Sequence, residues 1–253
     1  MRYLVLSDLH ANAPALAAVV KDLKRRSFDE IVFLGDLVGY YPFPHEAIAI
    51  MRELEPHVSL LGNHDALMLT LADGAHASAY REESHVTEII SRQLELLSSD
   101  DLAYLRTFAA DATFERWQAA HGAFRSQFEY LSTLQNAQAN LPYLEKPVGI
   151  VGHTHIPKAF ASVATADGDI WRTVTFRGVN DQYRVPPAAR AFLNPGAVGQ
   201  PRDGSPLAAY AVFDDDRQVF DVHRVEYDIG LVQQRVAEAG YPAAVGVRLA
   251  SGR

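Results

Sequence analysis

The first 65 residues alternate short apolar runs with amphipathic stretches, and this alternation constrains the fold more than any other feature of the sequence. Apolar runs of strand length occur at residues 3–6, 31–34 and 58–61. Asn12 is placed to cap a helix whose apolar positions recur three and four residues apart, and residues 45–55 predict a second helix. Strand–helix–strand repeats are typical of a parallel sheet covered by helices, so we expect an α/β fold.

The rest of the chain has a different pattern. Residues 66–109 predict a helical insertion, whereas the chain after residue 112 consists mainly of strand-like runs. Asp167-Gly168 lies between two alternating runs and predicts a hairpin. Because no Pro/Gly/Ser-rich linker separates the two parts, we expect one domain over residues 1–253 with two packed sheets, helices outside them, and a loose C-terminal tail over residues 240–253.

Composition narrows the class of protein. The 253 residues include no cysteine, which excludes disulfide scaffolds, thiol nucleophiles and thiolate zinc sites. The 31 acidic against 23 basic side chains argue against an extended nucleic-acid surface. No run approaches the roughly 20 apolar residues that span a bilayer, and the start of the chain lacks the apolar stretch of a signal peptide. We therefore expect a cytoplasmic protein without membrane contact.

Five apolar runs end in the same manner, with carboxylate, amide or imidazole side chains close behind them. These side chains are Asp8, His10, Asp36, Asn63, His64, Asp65, His121, His153 and His155. Ligands of α/β sheets bind at the carboxyl ends of the strands, so neighbouring strands would gather these groups in one crevice. Buried charged groups are costly unless they are paired or bound to metal, and these motifs contain no lysine or arginine.

The chemistry of these side chains points to divalent metal ions. A mixed Asp, His and Asn set suits Mn, Fe, Co, Ni or Zn. Nine side chains exceed the needs of one tetrahedral ion, whereas two ions about 3.5–4 Å apart serve in-line displacement at phosphorus. With Asp8 and Asp36 as the only anionic ligands, such a pair would retain positive charge and attract a phosphate group. We expect two divalent ions, with Mn as the first candidate.

In this order, the motifs resemble those of calcineurin-like metallophosphoesterases. The matching segments are Asp8-x-His10, Gly35-Asp36, Gly62-Asn63-His64-Asp65, His121-Gly122 and Gly152-His153-x-His155. Residues 194–199 resemble a segment of the small single-domain prokaryotic branch, the YfcE-like phosphodiesterases. The resemblance extends from residue 3 to about residue 213. It implies a four-layer αββα sandwich of two mixed sheets flanked by helices, with a dinuclear metal site at the strand carboxyl ends.

The resemblance also implies a role for each motif residue. The ligands of one metal would be Asp8, His10 and His155, and those of the other would be Asn63, His121 and His153. Asp36 would bridge the two ions, and a metal-bridging hydroxide would attack phosphorus in line. His64 would stabilise or protonate the leaving oxygen, while Asp65 orients its imidazole.

Substrate preference stays open at the level of sequence. Arg202 and Arg125 are candidates for contact with a substrate phosphate. The chain departs from the family pattern at Ala123-Phe124 and around residues 40–43, on loops expected to reach the cleft. We expect a phosphodiesterase that acts on small or cyclic nucleotide-like esters, in a chain that can form a homo-oligomer. A phosphomonoesterase or nucleotide phosphatase, and a non-catalytic protein-binding scaffold of the same fold, are the alternatives.

Overall fold

The computed structural model describes residues 1–74 and 84–253, and the described strands form two six-stranded mixed sheets. The first sheet has the order β3-β2-β1-β11-β12-β9. Its strands are β1 (Arg2–Leu6), β2 (Glu30–Phe33), β3 (Val58–Ser59), β9 (Asn180–Arg184), β11 (Ala208–Asp214) and β12 (Val219–Val225). The three N-terminal strands are parallel, as the alternation of strands and helices predicts, and the other pairs are antiparallel.

The second sheet has the order β4-β5-β6-β10-β7-β8. Its strands are β4 (Asp111–Thr113), β5 (Trp117–Ala120), β6 (Val148–Val151), β7 (Lys158–Thr165), β8 (Gly168–Thr175) and β10 (Arg190–Asn194). Strands β5, β6 and β10 are parallel, so the residues that follow β5 and β6 emerge at the same edge. Strands β7 and β8 form the hairpin predicted at Asp167-Gly168, with Thr165 paired to Gly168.

Helices cover the outer faces of both sheets. They are α1 (Ala13–Leu23), α2 (Pro44–Leu54), α3 (Asn63–Ala72), α4 (Ser84–Leu94), α5 (Ser99–Leu105), α6 (Leu134–Asn140), α7 (Ile229–Glu238) and α8 (Ala243–Val247), with short 3-10 helices at Leu141–Tyr143 and Arg248–Ser251. The Asn12 side chain accepts a hydrogen bond from the Ala15 backbone, which confirms the predicted cap of α1. Among the described residues, no helix is both long and apolar enough to cross a membrane.

The alternation of side chains along β1 shows how the layers are held together. Leu4 and Leu6 face the helix-covered side of their sheet, whereas Tyr3 and Val5 face the second sheet and contact its apolar side chains. A third apolar cluster lies on the outer face of the second sheet and includes Ala137 of α6. The two sheets therefore pack face to face with helices outside, which confirms the predicted four-layer αββα sandwich.

The structure agrees with the sequence at the predicted helical insertion and departs from it at the C-terminal segment. The described part of the predicted insertion at residues 66–109 is helical and comprises most of α3 together with α4 and α5, while residues 75–83 lie outside the described residues. The loose tail predicted at residues 240–253 is wrong. Helix α8 and the following 3-10 helix bury Val245 and Leu249 in the same apolar cluster as α1, because an apolar residue every fourth position forms one helical face.

Candidate metal centre

Most of the predicted metal ligands have an unusual backbone conformation. Their φ angles lie in the left-handed region at Asp8 (54°), His10 (50°), Asp36 (61°), His153 (64°) and His155 (60°). This region is unfavourable for residues with a Cβ atom, and such strain is concentrated at functional sites. The tight turns reverse the chain just after each strand, so the side chains project into the space between the strand ends.

Two glycines allow these turns to lie against one another. A Cβ atom on Gly62 would lie 2.1 Å from the Asp36 Oδ1 atom, and one on Gly152 would lie 2.0 Å from the Ser7 Oγ atom. A real side chain is excluded at both distances, so glycine is required where each turn approaches its neighbour. The glycines of the Gly-Asn-His-Asp and Gly-His-x-His motifs are thus explained by the close packing of the turns around the candidate ligands.

The two sheets meet at this site through a main-chain contact. The His153 backbone N–H lies 3.2 Å from Oδ1 and 3.1 Å from Oδ2 of Asp8, so it donates to the carboxylate of the other sheet. The Ser7 hydroxyl donates to the Asp8 Oδ2 atom at 2.7 Å. Asp8 is completely buried, and these donors hold its Oδ1 atom toward His155 Nε2, 3.4 Å away.

Buried side chains from both sheets form two adjoining groups with metal-ligand geometry. The first group consists of Asp8, His10, Asp36 and His155, and the second consists of Asp36, His121 and His153. Within each group, the ligand atoms all lie within 4.8 Å of one another. Asn63 adjoins the second group, since its Oδ1 atom is 3.2 Å from His121 Nε2. The structure therefore brings together all seven side chains predicted as metal ligands.

One carboxylate oxygen is common to the two groups. The Oδ2 atom of Asp36 lies 3.6 Å from His10 Nε2 and 3.4 Å from His121 Nε2. The other oxygen, Oδ1, accepts a hydrogen bond from the His64 backbone at 2.9 Å, which fixes the orientation of the carboxylate. The Asp36 carboxylate thus lies between the two ligand groups and belongs to both.

The histidine rings are oriented by main-chain carbonyl groups. The Nδ1 atoms of His10, His121 and His155 lie 3.2, 2.8 and 2.7 Å from the carbonyl oxygens of Val38, Leu34 and Gln200. A neutral ring that donates through Nδ1 carries its lone pair on Nε2. In this tautomer, the lone pairs of His10 and His155 face each other with their Nε2 atoms 3.2 Å apart. A bound cation would remove that repulsion, so the donor set fits divalent metal ions.

The electrostatics of the cluster agree with this interpretation. Burial lowers the pKa values of His10 and His155 well below the ordinary value, so both rings are neutral and able to act as ligands. Burial opposes ionisation of Asp36 as well, yet the neighbouring imidazoles, His121 first, hold the pKa of this carboxyl well below its usual range. Despite burial, the Asp36 carboxylate raises the pKa of His121 to about 9. Positive charge is therefore favoured where the two groups meet.

Asp65 does not have the role that the resemblance implies. Its Oδ2 atom accepts hydrogen bonds from the backbones of Asp36 (2.8 Å) and Gly62 (3.1 Å). Its Oδ1 atom accepts from Leu37 (2.9 Å) and Val38 (3.2 Å). Both oxygens are therefore engaged by main-chain donors, and the prediction that Asp65 orients the His64 imidazole is corrected. Asp65 instead holds the loop that carries Asp36.

His64 lies at the rim of the two groups. Its ring centroid is 4.6 Å from that of His10 and 4.8 Å from that of Tyr40. A Cβ atom on Gly39 would lie 2.2 Å from His64 Nδ1, so glycine at residue 39 leaves room for the imidazole. His64 is buried beside the candidate ligands, where it can exchange a proton with a group held by them.

The structure separates the two predicted substrate arginines. Arg202 lies beside the site, since its backbone N–H donates to the His155 carbonyl at 3.2 Å and its Nη2 atom lies 3.4 Å from Tyr40 Oη. Arg125 is exposed and forms two contacts with Glu129, with Nε to Oε2 at 3.0 Å and Nη2 to Oε1 at 2.5 Å. The guanidinium of Arg125 is thus paired with Glu129, and its contact with a substrate phosphate stays a prediction.

Three residues that support the site were not singled out from the sequence. Tyr130 stacks on His153 with ring centroids 3.9 Å apart. Buried Gln93 of α4 accepts from the Gly39 backbone at 2.8 Å and donates to the Tyr41 carbonyl at 2.6 Å. Gln200 binds the Arg202 guanidinium through its side chain. Of these three residues, only Gln93 could have been identified from the sequence. It is a polar residue among the apolar positions of α4, and a buried polar group requires a hydrogen-bond partner.

Comparison with known proteins agrees with the motifs and the geometry. The profile of the calcineurin-like phosphoesterase superfamily domain matches residues 1–218. An uncharacterized protein of Methanocaldococcus jannaschii is 28% identical over 98% of this chain and 97% of its own length. The structure of a metallophosphoesterase from Sphaerobacter thermophilus is 34% identical, with a TM-score of 0.83 and full coverage of both chains.

A more distant structure shares the fold. The hypothetical protein from Pyrococcus horikoshii is 19% identical, with a TM-score of 0.78 over 100% of this chain and 98% of its own. The family match covers the strands that carry every candidate ligand, and it confirms the superfamily predicted from the ordered motifs. The chain belongs to the calcineurin-like phosphoesterase superfamily of metal-dependent hydrolytic enzymes.

Proposed function

We propose that the protein is a phosphodiesterase that acts on small or cyclic nucleotide-like esters with the help of two divalent ions, of which manganese is the first candidate. The observation that carries the proposal is the position of Asp36 Oδ2, which adjoins His10 in one ligand group and His121 in the other. One carboxylate oxygen between two sets of nitrogen ligands favours a pair of ions over a single ion.

The residues would divide the binding of the two ions between them. The first ion would be held by Asp8, His10 and His155, the second by Asn63, His121 and His153, and Asp36 would contribute to both. Divalent ions at these groups would supply Lewis acidity, which activates water as a nucleophile and offsets the negative charge of the phosphate. Asn63 adds a neutral oxygen, so the ligand set keeps a net positive charge toward the substrate.

His64 and Arg202 would act on the substrate itself. His64 lies next to His10, and its imidazole would deliver a proton to the leaving oxygen. Arg202 would donate to the non-bridging oxygens of the phosphate, for which the guanidinium has matching geometry. The carboxylate of Asp65 would keep the loop with Asp36 in place and take no part in proton transfer.

A reconstitution experiment tests the proposal. The protein is stripped of metal, reloaded separately with Mn, Fe, Co, Ni, Mg and Zn, and analysed for metal content and for hydrolysis of bis(p-nitrophenyl) phosphate, p-nitrophenyl phosphate and cyclic nucleotides. We expect about two ions per chain and faster hydrolysis of the diesters. Preference for the monoester would favour a phosphomonoesterase, and two bound ions without hydrolysis of any ester would favour a protein-binding scaffold.

Substitution of His64 tests the proton-transfer step. We expect His64→Gln to keep its metal content and to lower kcat by about 100- to 10,000-fold, the usual contribution of a general acid. The matched control is His223→Gln on β12, because His223 contacts Asn180 in the sheet and is not part of the ligand groups. Loss of bound metal in His64→Gln would assign His64 to metal binding and would contradict the proposed role.

A further inference from the structure

An exposed tyrosine ring lies against one of the candidate metal ligands. Tyr130 stacks on His153 with ring centroids 3.9 Å apart and an angle of 21° between the ring planes. Tyr130 is 50% exposed, whereas His153 is 4% exposed. Because His153 covers one face of the tyrosine ring, the exposed surface lies on the other face and along the ring edge. A flat apolar surface is thus open to solvent directly above the second ligand group.

Tyr130 differs in this respect from the other tyrosine and phenylalanine rings near the ligands. In the part of the chain that the structure describes, Tyr40 lies 4.7 Å from His10 and Phe128 lies 6.2 Å from His121, measured between ring centroids. Tyr40 is only 8% exposed, and Phe128 is half-buried. Among these three rings, Tyr130 therefore has the largest surface available for a ligand.

The Tyr130 ring lies on the side of the cluster where the substrate phosphate is proposed to bind. Burial by itself would lower the pKa of Arg202, yet the phenol groups of Tyr40 and Tyr130 and the Asp8 carboxylate raise it. The Arg202 Nη2 atom lies 3.4 Å from Tyr40 Oη. Tyr130 is thus close enough to interact with the arginine assigned to the phosphate, and the remaining groups of a bound ester are within reach of its ring.

The loop that carries this ring is fixed on both sides of it. The Gly122 backbone donates to the Gln127 carbonyl at 2.9 Å, and a Cβ atom on Gly122 would lie 2.6 Å from that oxygen. The ion pair of Arg125 with Glu129 closes the turn. Beyond the ring, Leu131 is buried in the apolar cluster on the outer face of the second sheet. A ring held in this way loses little conformational freedom when a ligand stacks on it.

We propose that Tyr130 is a specificity-determining residue, whose exposed face stacks on the base or another aromatic ring of the substrate. The inference rests on the proposed function and assigns to one side chain the preference for nucleotide-like esters over esters without an aromatic ring. Aromatic side chains bind bases by stacking, and such binding tolerates different bases because each of them has a π face. Stacking requires the ring and not the hydroxyl group, so phenylalanine would serve as well as tyrosine.

Two matched esters test this inference. Adenosine 2′,3′-cyclic phosphate and methyl β-D-ribofuranoside 2′,3′-cyclic phosphate contain the same cyclic phosphodiester, and only the first carries a base. For the wild-type protein at saturating metal we expect kcat/KM to be about 5- to 100-fold higher for the adenosine ester, the usual contribution of one base stacked on an aromatic side chain. In Tyr130→Leu this ratio should fall close to one, mainly through KM, whereas Tyr130→Phe should retain it.

Tyr143→Leu is the matched control. Tyr143 is also 50% exposed and lies on the 3-10 helix that follows α6, so its replacement should leave the ratio unchanged. Equal kcat/KM for the two esters in the wild type would overturn the inference. An equal loss on both esters in Tyr130→Leu would overturn it as well, because the ring would then act only as a support for His153. Loss of the ratio in Tyr130→Phe would assign the preference to the hydroxyl group and not to stacking.

A binding measurement separates this inference from the proposed function. If the metal-loaded wild type hydrolyses neither ester, the proposed function fails for cyclic nucleotides, and calorimetry with adenosine 5′-monophosphate and ribose 5-phosphate then tests the stacking contact alone. Tighter binding of the nucleotide that is lost in Tyr130→Leu and kept in Tyr130→Phe supports the contact. Equal affinity of the wild type for the two phosphates refutes it.

Discussion

At the scale of single residues, Asp65 shows how one carboxylate can determine the geometry of a metal site that it does not enter. It lies in the first turn of α3, completely buried, and accepts four main-chain hydrogen bonds. Three of the four donors are consecutive residues, Asp36 to Val38, so the carboxylate holds the loop whose first residue has the left-handed φ angle. The strain of that residue is offset by contacts that only a carboxylate at residue 65 supplies.

Replacement of this carboxylate should therefore affect stability and metal binding together. Asp65→Asn retains one acceptor oxygen and directs its amide group at main-chain donors, so we expect the free energy of unfolding to fall by about 2–3 kcal/mol. Metal content should fall as well, because the Asp36 loop loses its support. Urea denaturation and metal analysis measure the two effects. The control is Asp73→Asn at the exposed end of the same helix.

The opposite result would restore the role implied by the family resemblance. If Asp65→Asn kept its stability and its metal content but lost catalytic rate, the carboxylate would act on His64 and not on the loop. The four hydrogen bonds predict that stability and metal content change first.

At the scale of secondary-structure elements, a contact between α2 and α5 involves two residues that are in neither ligand group, His45 and Asp101. Asp101 Oδ2 accepts from the Ser98 backbone at 3.0 Å, from the Ser98 hydroxyl at 2.8 Å, and lies 2.9 Å from His45 Nδ1. Burial by itself opposes ionisation, yet the hydrogen bonds from His45 and Ser98 lower the pKa of Asp101 below its ordinary value. The capping box of α5 thus depends on an ionised carboxylate.

The sign of the pH dependence follows from the lowered pKa. A carboxyl group whose pKa is lower in the folded than in the unfolded protein adds stability above the unfolded value of about 3.9. That stability is lost as the pH falls through the folded value. We expect Asp101→Asn to lower the free energy of unfolding by about 1–2 kcal/mol at pH 7, and this difference from the wild type should shrink as the pH falls from 5 toward 3.

Urea titrations of chelator-treated protein at several pH values measure this difference. Asp100→Asn, at the exposed neighbouring position of the same helix, is the matched control and should change stability little at any pH. A difference that stays constant down to pH 3 would show that Asp101 acts through its shape alone and not through its charge.

At the scale of the whole molecule, the side chains of the candidate metal centre come from both sheets. Asp8, His10, Asp36 and Asn63 follow strands of the first sheet, whereas His121, His153 and His155 follow strands of the second. Bound ions would therefore link the two halves of the sandwich, and binding to the folded state alone raises the free energy of unfolding.

Removal of the metal should consequently lower the melting temperature. At a free metal concentration about 100 times the Kd, binding adds roughly 2.7 kcal/mol, which corresponds to about 5–10 °C for a chain of this size. Thermal unfolding with and without chelator, together with metal analysis, measures the shift. Asp36→Asn should show little or no shift, since it lacks the shared ligand. An equal shift in Asp36→Asn would contradict the role assigned to this carboxylate.

Much of the architecture was accessible from the sequence because the relevant signals are local. The period of apolar residues separates strands from helices, Asn12 caps its own helix, and glycine beside a polar residue indicates a tight turn. The polar side chains behind five apolar runs could be grouped because parallel strands end at a common edge. The types of these side chains (Asp, His and Asn) favoured a divalent metal ion as the species that they bind.

Contacts between distant segments were decided only by the tertiary structure. Three of the four main-chain donors to the Asp65 oxygens are 27 to 29 residues away, and Arg248 reaches Tyr40 because α8 packs on the core. Sequence patterns report the preferences of neighbouring residues, whereas these contacts depend on strand order and on how the layers pack. The sequence by itself therefore determined the chemistry of the metal ligands and the layers of the fold. Tertiary packing decided which carboxylate oxygen lies between the two ligand groups, which carboxylate supports the loop, and which arginine lies beside the cluster.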